Sequence, residues 1–193
     1  LVAMRAEKTP DLEVLTFEHL RLDGGAAPDE ARSYAQLHTH ANRLAAELVR
    51  RGLARGDRFA LMMRNHPEFV EAMIAASISA TAFVPIDPRT KGEKLAYMLR
   101  NSGCRGVICC DTCLPEIAAV RPAVPGVEWV LALATGESGA PAIGDFARVD
   151  SLSTVLGRPA ETVDVRLEGP NDLLQIIYTS GTMGQPRGVE LTH

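Results

Sequence analysis

The chain has 193 residues, 46% of them apolar and 23% charged, with 20 Lys and Arg against 24 Asp and Glu for a formal net charge of −4. This is an ordinary globular mixture, long enough to bury a substantial core, and it excludes collagen, wholesale disorder and a disulfide-stapled miniprotein. A net negative charge without a basic block excludes generic nucleic-acid binding and charge-driven docking on anionic lipid.

Charged residues follow Leu1-Val2-Ala3-Met4-Arg5 at once, so no signal peptide is expected. The initial Leu is read as a start that has been removed or lies upstream. Residues 14–20 mix β-branched, aromatic and alternating polar side chains and predict a strand. Asp23-Gly24-Gly25 with Pro28 predicts a loop. Ser33-Tyr34-Ala35-Gln36 has the spacing of a capping box, and Leu37, Ala41, Leu44, Ala45 and Leu48 follow at helical spacing until Gly52. After a turn at Gly56-Asp57 comes an apolar strand over residues 58–63. Asn65-His66-Pro67 ends it and opens a helix to about Ala80, since a proline costs nothing in the first helical turn. A strand over 83–86, a loop at Asp87-Pro88-Arg89 and a helix over 93–101 come next, the last with Leu95, Met98 and Leu99 on one face and Ser102-Gly103 closing it. Residues 106–110 and 127–133 predict further strands, with a helix over 115–120 between them. The longest weakly polar stretch, 72–86, is too short to span a bilayer as a helix.

From about residue 135 to 169 the pattern fades into Gly, Pro and Ser, with one short helix after Ser151. This stretch is either a surface excursion or a subdomain boundary. Residues 173–178 then predict another buried strand, and Val189-Glu190-Leu191-Thr192-His193 alternates like a strand. The alternation of strands and helices predicts an α/β fold with largely parallel sheets flanked by helices. The division expected is an α/β subdomain over 1–170, with a strand and loop over 171–193 starting the next.

All four cysteines, Cys104, Cys109, Cys110 and Cys113, fall within ten residues. Cys110-Asp111-Thr112-Cys113 has the CxxC spacing of a redox or half-zinc site. Cys109 and Cys110, however, are neighbours on an apolar strand and point to opposite faces. The cysteines are therefore expected to be free core residues of a cytoplasmic protein, with no metal site.

The chemistry concentrates in Thr179-Ser180-Gly181-Thr182-Met183-Gly184-Gln185-Pro186-Arg187-Gly188. Glycines let the backbone approach a ligand, and successive N–H groups in such a turn converge on an anion. Thr179, Ser180 and Thr182 add hydroxyls, Arg187 adds a fixed cation, and no carboxylate interrupts the stretch. These are the parts of a polyphosphate cradle. It is not the Walker loop, because no Gly-Lys dipeptide occurs, and it is not the dinucleotide fingerprint, because G-x-G-x-x-G is absent.

The string from Tyr178 through Val189, ending in Leu191-Thr192-His193, resembles the AMP-binding signature of the adenylate-forming superfamily. That superfamily includes acyl-CoA synthetases, the adenylation domains of peptide synthetases and luciferases. Arg32-Ser33-Tyr34, Gly56-Asp57-Arg58, Asn65-His66-Pro67-Glu68-Phe69 and residues 83–88 resemble it too, in the family's order. Two positions depart from it: the family usually has Thr or Ser where Met183 stands and Lys where Arg187 stands. Both departures are expected to weaken nucleotide handling without abolishing it. A noncatalytic binding module that keeps the fold is the alternative they favour.

The resemblance implies the N-terminal portion of the large domain of an acyl-CoA synthetase of the fatty-acid–CoA ligase type. Such an enzyme joins a carboxylic acid to ATP as an acyl-adenylate, releases pyrophosphate, and passes the acyl group to coenzyme A. Contacts to the β- and γ-phosphates would come from Thr179, Ser180, Gly181, Thr182, Gly184 and Arg187, with Pro186 shaping the turn. Mg²⁺ and coenzyme A are implied by the resemblance alone, as is the missing C-terminal part of the same enzyme. No catalytic residue is expected in this stretch, and the stretch alone is expected to be inactive. A homodimer is compatible with the pattern; nucleic acid and a membrane span are not expected. An adenylation domain of a peptide synthetase is a further alternative. Elsewhere, His38 and His40 are expected on a helix surface, and His66 in a capping role. Glu68, Glu71 and Asp87 are expected to be solvated or capping, and Met62, Met63 and Trp129 to be core.

Overall fold

Ser33 stands where the sequence expects a helix to begin. Its hydroxyl accepts from the Gln36 N–H at 3.3 Å, and the Gln36 side chain accepts from the Ser33 N–H at 2.8 Å. In the computed structural model, which describes residues 1–18, 29–137, 139–159, 161–179 and 185–193, this closed box starts helix α2 (Tyr34–Arg50). All five apolar positions named for its inner face are buried. Before it lie helix α1 (Val2–Lys8) and the strands β1 (Glu13–Phe17) and β2 (Glu30–Ser33), which pair antiparallel as a separate ribbon. Neither α1 nor β2 is marked by the sequence pattern: no residue of α1 is buried, and β2 is four residues long. Residues 19–28, including His19 and the expected loop at 23–28, lie outside the described residues.

Strands and helices then alternate: β3 (Arg58–Met62), α3 (Pro67–Ser79), β4 (Ala82–Pro85), α4 (Gly92–Ser102), β5 (Cys104–Cys110), α5 (Leu114–Val120) and β6 (Trp129–Leu133). The stretch expected to be irregular holds a further strand, β7 (Val149–Ser151), and the short helix α6 (Leu152–Leu156), whose Thr154 N–H donates to the Ser151 hydroxyl. A three-residue strand with half-exposed side chains has no periodicity to read. The chain closes with β8 (Leu173–Thr179) and β9 (Arg187–Thr192).

Among the described residues seven strands form one sheet in the order β7-β6-β5-β3-β4-β8-β9. Every pair is parallel except β8 with β9. The chain steps from β3 to β4 on one side, then crosses back to β5 on the other and continues outward. Right-handed crossovers in opposite directions put α3 and α4 on opposite faces of the sheet. Consistent with this, α3 packs with α2, and α4 packs with α5. The central strands are therefore covered twice, and Phe59, Leu61, Ile108 and Leu131 are fully buried.

Trp129 shows how tight this centre is. Gly106 pairs with it across the sheet, and a Cβ at Gly106 would lie 2.0 Å from the indole ring, so no side chain fits there. The Arg51 guanidinium stands 5.1 Å over the indole and the Phe59 ring is 6.5 Å away. No helix among the described residues is long and apolar enough to cross a membrane.

Candidate functional site

β8 continues the parallel sheet beside β4, so the segment after Thr179 leaves from the carboxyl end of the strands. Open α/β sheets bind ligands at that end. The chain returns as β9, antiparallel, and the register matches Thr179 with Arg187 and Tyr178 with Gly188. Residues directly opposite in such a pair lie about 5 Å apart at Cα and share one face. Thr179 and Arg187, eight residues apart in the candidate loop, are thereby brought together at its neck. Ser180, Gly181, Thr182, Met183 and Gly184 lie outside the described residues; Gln185 and Pro186 precede β9.

The electrostatics of the neck differ from those of the rest of the chain. Most arginines are committed: Arg58 to the Ser102 carbonyl, Arg105 to Asp57 and Glu128, Arg55 to Asp172, and Arg51 and Arg158 to Glu47. Among the described residues no carboxylate pairs with Arg187, and its side chain is exposed. An uncommitted guanidinium beside a threonine hydroxyl is a donor set for phosphate oxygens. The strand expected to be buried is only partly so: Ile176 is inside, whereas Ile177, Val189 and Leu191 are exposed. Ile177 and Val189 are register partners, and Leu191 lies on the same side, so one face of the hairpin is open.

A second polar cluster escaped the sequence. Glu71, expected to be solvated or capping, is fully buried. Its Oε1 accepts from Arg32 Nε at 2.8 Å and lies 2.8 Å from His40 Nδ1, while its Oε2 is buried without a hydrogen-bond partner among the described residues. Arg32 also reaches Glu30 at 2.5 Å and approaches Glu68 at 3.7 Å. His40, expected on a surface, is half-buried in this knot. Burial raises the Glu68 carboxyl, helped by the charges of Glu71 and Glu30. For Arg32, burial works against the charge, and the bonds to Glu71 and Glu30 outweigh it. The knot ties β2 to α2 and α3. Its partners lie up to 39 residues apart on three elements, so only the tertiary fold reveals them.

The other expectations resolve simply. Asp87 is exposed and accepts from the Arg89 backbone and side chain, which holds its carboxyl at about 2. His66 occupies the N-cap position of α3, but the helix takes no cap from its side chain. Met62, Met63 and Trp129 are core. All four cysteines are free and buried. Burial pushes the Cys104 thiol up to about 12 and Cys110 to about 11, so neither is a thiolate at neutral pH. Among the described residues no cluster of His, Cys, Asp and Glu is arranged to hold a metal ion.

The sequence matches the family described as AMP-binding enzyme over residues 2–193. It is 35% identical over 168 residues to the long-chain-fatty-acid–CoA ligase FadD13 of Mycobacterium tuberculosis, covering 86% of this chain and 30% of that protein. It is 32% identical over 193 residues to the phosphinothricin tripeptide synthetase PhsB of Streptomyces viridochromogenes, covering all of this chain and 14% of that protein. In structure it is similar to the acetoacetyl-CoA synthetase of Streptomyces lividans, with a TM-score of 0.84 at 20% identity, over 99% of this chain and 29% of that one. The chain thus spans less than a third of each of these proteins.

Proposed function

The chain belongs to the AMP-binding enzyme family, and from that membership we propose that it is the N-terminal part of an ATP-dependent carboxylic acid–CoA ligase. The carboxylate oxygen attacks the α-phosphorus of ATP, the bond to the β-phosphate breaks, and pyrophosphate leaves. The thiol of coenzyme A then attacks the acyl carbon of the adenylate and AMP departs.

This chain's part is to hold the leaving pyrophosphate. Two anions have to meet, and charge builds on the departing phosphates, so donors fixed in advance lower the barrier. Thr179 and Arg187 supply a hydroxyl and a cation across the neck. Ser180, Gly181, Thr182 and Gly184 supply hydroxyls and N–H groups, Pro186 shapes the turn, and Met183, Gln185 and Gly188 complete the run. No carboxylate for Mg²⁺ is offered by these residues, and Mg²⁺ would arrive with the nucleotide and neutralise its phosphates. A subdomain boundary near residue 170 goes with this reading, as β8 and β9 meet the rest of the sheet at one register position. A cytoplasmic setting also goes with it, supported by the four free cysteines.

The observation that carries the reading is the uncommitted Arg187 opposite Thr179, framing a stretch within the family match. The test is ATP–pyrophosphate exchange and CoA-thioester formation by the full-length protein with a panel of carboxylic acids. The relationship to a peptide synthetase favours a second reading, in which the acceptor is a carrier-protein thiol. Exchange without CoA thioester would select it. Absence of exchange together with no thermal stabilisation by millimolar Mg-ATP would instead indicate a noncatalytic module. The 193 residues alone are expected to give no turnover, and thioester formation by them would contradict the division of labour proposed.

A further inference from the structure

The hairpin of β8 and β9 packs on the sheet through the buried Ile176, but its backbone ladder to β4 is short, and one residue stops it toward the carboxyl end. Ala82 and Ile86 give their N–H groups to the carbonyls of Asp57 and Leu61, on the β3 side of β4. Groups along a strand alternate between neighbours, so residues 83 and 85 face β8. Phe83 pairs there with Gln175. The next position is Pro85, which has no N–H to give. The ladder between β4 and β8 is confined to that one register position, and residues 176–179 run on with β9 as their strand neighbour.

Beyond the buried Ile176 this length needs a further tie to the sheet, because the candidate donors sit at its far end. Tyr178 does so in the described residues. Its hydroxyl donates to Asn101 Oδ1 at 2.6 Å, with the Met98 carbonyl alongside at 3.3 Å. Both belong to α4, a helix anchored by the buried Leu95, Met98 and Leu99. Gly188, opposite Tyr178, leaves room for the ring: a Cβ there would lie 2.9 Å from Ile176 Cγ2 and 3.4 Å from Tyr178 Cζ. Thr179 and Arg187 are the next pair beyond this tie.

We propose that Tyr178 is a positioning residue for the nucleotide, its hydroxyl bond to Asn101 setting where Thr179 and Arg187 stand relative to the sheet. The proposal rests on the reading of this hairpin as the ATP-phosphate site. It does not involve Tyr178 touching the ligand; the residue acts through its two neighbours.

The test compares Tyr178→Phe, which deletes the hydroxyl and keeps the ring, with Asn101→Ala and the double variant, in the full-length protein. Each single change raises the KM for ATP about threefold to tenfold, the scale of one lost hydrogen bond. The double variant is no worse than the larger single one. The KM for the carboxylic acid and kcat stay within about twofold, and the melting temperature within about 2 °C. Unchanged ATP KM in both single variants overturns the tie while the ligase reading stands. A parallel rise in both KM values that tracks lost thermal stability also overturns it, since that is general loosening. A wild-type protein that binds no ATP and gives no pyrophosphate exchange removes the ligase reading, and the tie falls with it.

Discussion

The parallel centre of the sheet and the β8–β9 hairpin are continuous in hydrogen bonding, yet they are built on opposite terms. In β3, β5 and β6 nearly every side chain is buried between two helix layers, and the charged residues at the strand ends are paired. In the hairpin nearly every side chain is exposed or half-exposed, one face is open, and among the described residues no carboxylate pairs with Arg187. The first arrangement maximises burial, which sets stability. The second leaves donors available, which suits a ligand. The difference teaches that burial and exposed donors are housed separately, joined through one ladder position, the buried Ile176 and a tyrosine hydroxyl.

Substitutions can break this separation or sharpen it. The largest effect is expected at the centre: Phe59→Ala, in a fully buried position, lowers unfolding free energy by about 3–5 kcal/mol. Urea unfolding measures it, and a loss under about 1 kcal/mol would mean that the centre does not carry the fold. At the hairpin the effect moves to binding. Arg187→Ala costs about 1.5–3 kcal/mol of ATP affinity, roughly ten- to hundredfold in Kd, with the melting point unchanged. A fall in melting point without a change in Kd would reverse the assignment of the two regions. Smaller still are changes toward the family pattern: Met183→Thr and Arg187→Lys should leave ATP-dependent activity equal or higher, by up to about tenfold. A large loss in either would show a loop that works differently.

The smallest effect concerns the buried knot, where the carboxyl of Glu68 is raised by burial and by its acidic neighbours. A carboxyl raised in the folded state is costly as an anion. That cost is fully present above the folded pKa and disappears as pH falls below the unfolded value of about 4.3. Glu68→Gln should therefore raise the melting temperature at pH 7 by on the order of 2 °C, with no gain at pH 4. Scanning calorimetry at the two pH values decides it, and a gain that is equal at both would show that charge is not the cause.

Much of the centre was legible because its signals are local. The Ser33 and Gln36 pair, Pro67 at a helix start and Gly103 at a helix end are each read within four residues, and the elements fall where those marks put them. β7 and β2 were not legible, being too short for a period to show. The burial of Glu71 was not legible either, since a glutamate on a helix reads as solvated until Arg32 arrives from another element. At the hairpin the sequence marked the two strands. It could not mark the tie to Asn101, which depends on where α4 comes to lie.

Trp129 is the one tryptophan in the chain. Buried at the centre of the sheet, under a guanidinium and beside Phe59, it makes intrinsic fluorescence a report on one place only. Excitation selective for indole will follow the melting of the packed strands and stay silent when a nucleotide meets the hairpin, so an optical titration of ATP needs a second fluorophore placed there by design.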